Sequence, residues 1–317
     1  MKILRYWQIA LAIAGCATVS LAVAAPFAYV PNEKSGSISI IDTATRQVTD
    51  TLEIGGTPRG ITVSRDGKTL YVSDQKAHAL VVIDLDRKQV QDRIALGESP
   101  EGISISPDGR WVVAAVELSN SVMFVDTGTN KVAFSIKTNG KNPEHAVFSP
   151  DGRWLLVSAE EADSVDVVDV VARRQVSSIK VGNRPRGIGF LPDGSRAYVA
   201  CELVSTVFVI DLATQTAVTS ILAGNFSNGV AVAPDGKRVY ISNGRDASVS
   251  VIDTTTQKII ATVPVGKRPW GLTTTPDGRW LYVANGRSDS ISVVDTASIQ
   301  AVATIPVGTA PWGVVIR

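Results

Sequence analysis

An apolar run ending in aspartate recurs at Asp42, Asp84, Asp126, Asp169, Asp211, Asp253 and Asp295, at spacings of 42, 42, 43, 42, 42 and 42 residues. A second marker, an Asp-Gly pair, recurs in step at Asp66, Asp108, Asp151, Asp193, Asp235 and Asp277. A chain with such a period is an array of like units, each burying its apolar faces against its neighbours. Repeats of about this length that are helical build solenoids, whereas four short strands per repeat build a propeller. The expectation is an all-β fold: a seven-bladed β-propeller with four antiparallel strands per blade.

The unit beginning at Pro269 shows the pattern. Gly271 to Thr274 reads as a short inner strand, and Pro276-Asp277-Gly278 as a hairpin turn in which glycine takes a left-handed conformation. Trp280 to Val283 and Ile291 to Val294 read as middle strands, and nearly continuous apolar runs such as Leu80 to Ile83 suit a sheet covered on both faces. The recurring Asp then starts a turn, where its carboxylate accepts backbone N–H groups. The fourth strand is more polar, as in Gln89 to Ile94, and two copies carry Pro264 and Pro306, features that protect an exposed edge. Phe27 to Val30 matches a second strand and Trp312 to Ile316 a first strand, so one blade is expected to join both ends of the chain. Trp111, Trp154 and Trp280 follow Asp-Gly-Arg turns in register and read as packing residues.

Residues 25–317 are expected to form this single domain, and residues 1–24 a signal peptide. Lys2 and Arg5 precede an apolar stretch from Trp7 to Ala25, and Ala22-Val23-Ala24 gives the small-residue pattern of a cleavage site. Two other readings stay open: a lipid anchor through Cys16 in Ile13-Ala14-Gly15-Cys16, and an uncleaved anchor. The chain would then be periplasmic, without a membrane span after cleavage, and monomeric. Cys201 would be its only thiol, in a setting that reads as a buried strand. With 31 basic against 30 acidic residues, overall charge offers no support for a nucleic-acid partner, although Arg184, Arg186, Lys267 and Arg268 form a local basic group. Two cysteines exclude a disulfide scaffold and two histidines a His-rich metal site.

Tyr29-Val30-Pro31-Asn32, Tyr71-Val72-Ser73-Asp74, Tyr240-Ile241-Ser242-Asn243 and Tyr282-Val283-Ala284-Asn285, with Val249 to Thr254, resemble the YVTN-repeat β-propellers of bacteria and archaea. The resemblance covers essentially the whole chain after residue 24. It implies an exported seven-bladed protein, often without a demonstrated reaction. One branch of the family accompanies quinoprotein-dependent alcohol catabolism, and related propellers include lactonases. The matching positions are structural, so no catalytic residue carries over.

Function is sought where the repeat varies. The residue after the proline that opens each inner strand is Arg59, Glu101, Glu144, Arg186, Asn228, Trp270 or Trp312, and this ring is expected to converge on one mouth of the central channel. His145 stands where the other six repeats have glycine, just after the one extra residue of the array in Thr138 to Asn142, and Ser227 replaces a proline. The loops between middle strands carry Glu33, Lys34, Asp74, His78, Glu117, Glu160, Glu161, Asp163, Glu202, Arg245 and Arg287, most of them expected to be solvated. Together these predict an acidic sector at Glu101, Glu117, Glu144 and Glu160 facing Trp270, Trp312 and Arg59, able to hold a planar or anionic molecule or a protein segment.

Three functions fit. The favoured one is a non-enzymatic scaffold that binds a small ligand or a periplasmic protein at the channel mouth, with no cofactor or metal of its own. The alternative is a lactonase-like hydrolase, with Glu101, Glu144 and His145 acting as acid and base or holding a divalent metal. The third, an accessory subunit for a redox enzyme, follows only from the resemblance. No Cys-x-x-Cys-His, Gly-x-Ser-x-Gly or phosphate-loop pattern is present.

Overall fold

A computed structural model describes residues 26–317. The expected signal peptide, its expected cleavage site and Cys16 lie outside the described residues. Seven four-stranded antiparallel sheets follow one another around a ring. In the blade of residues 269–306 the strands are Pro269–Thr274, Trp280–Asn285, Ser290–Asp295 and Gln300–Pro306, running from the channel outward. Counting from the blade of residues 58–95 as blade 1, this is blade 6. Blade 7 is the seam: Val315–Ile316 pairs with Phe27–Asn32, which continues to Ser37–Asp42 and Gln47–Glu53. The closing strand is shorter than Trp312 to Ile316, with regular pairing only at Val315–Ile316. A bridge between Asn32 and Pro311 extends the seam.

β-Branched middle strands suit this arrangement because both faces of each sheet are covered. Leu80, Val81, Val82 and Ile83 are all fully buried. The core lies between sheets: Val113 and Phe124 of blade 2 pack on Leu155 and Val157 of blade 3, and Ile291 and Tyr282 of blade 6 on Val30 and Ile41 across the seam. Cys201 is fully buried in one such layer, and burial pushes its thiol up to about 12, so it is a packing residue. The outer strands are the exposed ones: Lys258–Pro264 has alternate residues exposed, and Gln89–Ala95 is exposed at all but Ile94.

The recurring polar residues hold the frame. Each of the seven aspartates accepts the backbone N–H of a residue two or three places on, as Asp253 does from Thr256 at 2.7 Å and Asp295 from Ala297 at 2.9 Å. In the Asp-Gly turns the carboxylate accepts an N–H two residues on, and glycine holds a φ between +70° and +77°. The side-chain amides of Asn32, Asn243 and Asn285 each donate to two serine hydroxyls on the next strand, for example Ser290 at 3.2 Å and Ser292 at 2.9 Å. Trp111, Trp154 and Trp280 are partly buried beneath the guanidinium of the preceding arginine, as expected of packing residues. Among the described residues no helix is long and apolar enough to cross a membrane.

Candidate functional site

The inner strands present their second residue at one end of the channel, and there the structure places a cavity of about 320 Å³. Of the predicted ring, Arg59, Glu144, Arg186, Asn228, Trp270 and Trp312 line it, together with His145. Glu33, Lys34, Arg268 and Arg287 complete the charged lining. Five cationic groups thus face the cavity against two carboxylates, Glu33 and Glu144. A more open depression beside it, lined by Phe226, Arg245, Lys267, Arg268 and Arg287, extends the basic surface outward.

Glu101 does not line the cavity. Its carboxylate is drawn into the wall, fully buried, where Oε1 accepts from Arg59 at 2.5 Å and from Gln75 Nε2 at 2.6 Å. Arg59 also reaches Glu33 at 3.0 Å. Burial first, then repulsion from Glu144, pushes the Glu101 carboxyl up to about 8 against the pull of Arg59. The acidic sector exists, since Glu117 and Glu160 lie beside Glu144, and burial raises both carboxyls. It is not a bare acidic wall, because Arg186 pairs with Glu144 and lies 3.4 Å from Glu160.

The loop charges depart further from expectation. Lys34, His78, Glu161, Arg245 and Arg287 are exposed, but Asp74 and Glu202 are buried and Glu33, Glu117, Glu160 and Asp163 are half-buried. Glu202 gathers three arginines: Arg268 at 2.6 Å, Arg186 at 3.2 Å and Arg184 at 3.4 Å. Burial alone would raise its carboxyl, but Arg186, Arg268 and Arg184 outweigh that and hold it below the ordinary carboxylate range. The same pairing neutralises most of the basic group suggested by Arg184, Arg186, Lys267 and Arg268.

Among the described residues, the potential ligand group around Glu144 is completed by Glu117 and Glu160, without His145. The histidine is oriented elsewhere. Its ring crosses the channel and stacks on Trp312, with centroids 5.4 Å apart and planes at 16°. In blades 1, 2, 4, 5 and 6 glycine stands here because the next inner strand passes so close: a Cβ on Gly60 would lie 2.5 Å from the Glu101 carbonyl oxygen, whereas one on Gly313 would meet nothing within 4 Å. The inner strands of blades 3 and 4 pack less closely than those on either side, which makes room for the histidine. Burial, then the charge of Arg186, lowers its pKa to about 4, so the ring is neutral at physiological pH. His145 and Trp312 line both the mouth and a smaller cavity of about 150 Å³ beneath it, lined largely by glycine, isoleucine and leucine. Their stack divides the channel.

Trp270 is placed by an absence of side chain opposite it. The position after the second strand reads Glu33, Gln75, Glu117, Glu160, Glu202, Gly244 and Gly286 around the ring. A Cβ on Gly286 would lie 2.4 Å from the Trp270 ring, and one on Gly244 2.7 Å from Arg268 Nη1. Glutamates therefore occupy the arginine-rich side of the mouth, and glycines the side where Trp270 and Arg268 lie flat.

The family described as lactonase, seven-bladed β-propeller, matches residues 92–178 and 170–302, which together cover 211 of the 317 residues. The chain belongs to this lactonase family of seven-bladed β-propellers. A YNCE-like β-propeller family matches residues 11–106. No curated protein matches the chain. Among solved structures, a chain of Kuenenia stuttgartiensis hydrazine synthase is similar at 24% identity and a TM-score of 0.79, over 90% of this chain and 99% of that one. A functionally unknown protein from Desulfotomaculum acetoxidans is similar at 17% identity and a TM-score of 0.81, over 92% and 98%. A candidate 6-phosphogluconolactonase from Bacteroides uniformis is similar at 18% identity and a TM-score of 0.78, over 92% and 99%. At these identities the likeness to the solved structures concerns the fold.

Proposed function

We propose that this lactonase-family propeller binds a small organic anion, of the size of a single substituted ring, in the channel mouth. The observation that carries the reading is the cavity lining: Lys34 and Arg287 face it with no carboxylate within ion-pair distance among the described residues, while Trp270 and the Trp312–His145 stack offer flat apolar faces. Free cations recognise the charge and aromatic faces cover the ring. Export to the periplasm belongs to the same proposal and rests on the pattern from Lys2 to Ala24.

Calorimetric titration tests the reading with glucose 6-phosphate and glucuronate against neutral glucose. The anions are expected to bind at least tenfold more tightly than glucose, to weaken as salt rises, and to lose about tenfold more in Arg287→Ala, as for a charge-assisted hydrogen bond. Equal binding of charged and neutral sugars would refute it.

A second reading, lactone hydrolysis, is favoured by the family match and by Glu144, whose carboxylate faces the cavity beside Arg186 and is placed to activate a water. Acid release from 6-phosphogluconolactone that falls at least about 100-fold in Glu144→Gln would establish it. A rate equal to that in buffer would remove it.

A further inference from the structure

We propose that Glu117, Glu144 and Glu160 form a site for one hard divalent cation of the size of Ca²⁺, backed by Glu101. Each glutamate offers one carboxylate oxygen, and the three oxygens lie within 4.8 Å of one another. Glu117 follows the second strand of blade 2, Trp111–Val116; Glu144 is on the first strand of blade 3, Pro143–Phe148; and Glu160 opens a 3₁₀ turn, Glu160–Ala162, after the second strand of the same blade. The site bridges two blades at the acidic side of the mouth. It goes beyond the anion reading, whose free cations lie on blades 6 and 7 across the ring.

A second observation separates this group from an ordinary acidic patch. Glu101 is fully buried, its Oε1 is taken by Arg59 and Gln75, and its Oε2 has no hydrogen-bond partner. The Ser99 hydroxyl lies 2.5 Å from Glu117 Oε2 and 3.5 Å from Glu101 Oε1, so the two carboxylates share one hydroxyl. After burial, Glu144 and then Glu117 are the acidic groups whose charge pushes the Glu101 carboxyl up. A buried carboxyl oxygen left without a hydrogen-bond partner in this company is a costly arrangement that a cation relieves.

Among the described residues Glu117 has no cationic partner within ion-pair distance, and its one side-chain hydrogen bond is from Ser99. The donors are all oxygen, with His145 turned onto Trp312, which selects a hard ion over zinc or copper.

The test is calorimetric titration of CaCl₂, MgCl₂ and ZnCl₂ into the full chain after chelator treatment, with thermal unfolding in parallel. One Ca²⁺ per chain is expected, bound at least tenfold more tightly than Mg²⁺ or Zn²⁺, with a midpoint that rises with Ca²⁺ concentration. Glu117→Gln, at a half-buried position away from the cavity lining, is expected to fold, to lose at least tenfold in Ca²⁺ affinity and to bind glucose 6-phosphate as the parent does. Absence of Ca²⁺ binding at millimolar concentration, or binding that Glu117→Gln leaves unchanged, would overturn the proposal. Either result leaves the anion reading to its own titration.

Discussion

Replacing Glu202 with alanine is expected to destabilise the protein by about 3–5 kcal/mol, the ordinary cost of removing one partner from a buried ion pair. The carboxylate is fully buried and binds Arg268, Arg186 and Arg184 at once. Arg186 would keep Glu144 and Arg184 would keep Glu160, but among the described residues Arg268 would have no carboxylate left. The carboxylate ties blade 4, which holds Glu202 and Arg186 and is entered through Arg184, to Arg268 at the entry to blade 6, and Arg268 in turn packs on Phe226 before blade 5. Chemical unfolding measures the effect, and Glu161→Ala serves as an exposed control expected to change stability by less than about 0.5 kcal/mol. A loss below about 1 kcal/mol for Glu202→Ala would mean that the network is not holding the ring. The pH dependence has a definite sign. A carboxyl held below its unfolded pKa contributes stability above that pKa and loses it as pH falls, so the Glu202 contribution disappears on acidification below about 4.5.

Glu101 predicts the opposite slope. Its carboxyl titrates at about 8 in the fold against 4.5 for the unreacted group, so the folded state retains a proton that the unfolded chain gives up. Its favourable contribution is complete below about 4.5 and is lost as pH rises through about 8. In metal-free buffer Glu101→Gln is expected to remove this decline and to be more stable than the parent at pH 8–9 by about 2–4 kcal/mol. Urea midpoints across pH 4–9 read both slopes. A Glu101→Gln profile parallel to that of the parent would show that Arg59 and Gln75 compensate the buried charge fully.

Most of the frame was legible because its determinants are local. The aspartate turns, the Asp-Gly hairpins and the apolar middle strands each depend on residues a few places apart, and each repeat restates them. The seam was legible from the partial repeats at Phe27 and Trp312. The mouth ring was legible as well, since its members occupy one position in the repeat.

What escaped the sequence reading depends on pairing around and across the ring. Glu202 and Asp74 read as loop charges, yet Glu202 is buried by arginines of which one, Arg268, is 66 residues away. Glu101 read as a mouth residue, yet Arg59 from the preceding blade holds it in the wall. His145 stood out by replacing glycine, but the ring it stacks on, Trp312, lies just before the closing strand of the seam blade, a contact that its chain neighbourhood beside Glu144 does not reveal. A usable signal was present in the alternation of Glu33, Gln75, Glu117, Glu160, Glu202, Gly244 and Gly286. Glycine at the last two positions marks where large side chains must lie flat.

The central claim is that the channel mouth holds a small organic anion. Native mass spectrometry on the protein purified gently from its own envelope fraction tests it most directly and resolves the N-terminus in the same spectrum. The account predicts a one-to-one complex with a negatively charged molecule small enough for a cavity of about 320 Å³, lost in the double variant Lys34→Ala/Arg287→Ala. A bare chain, or an adduct that the double variant retains in full, would contradict it.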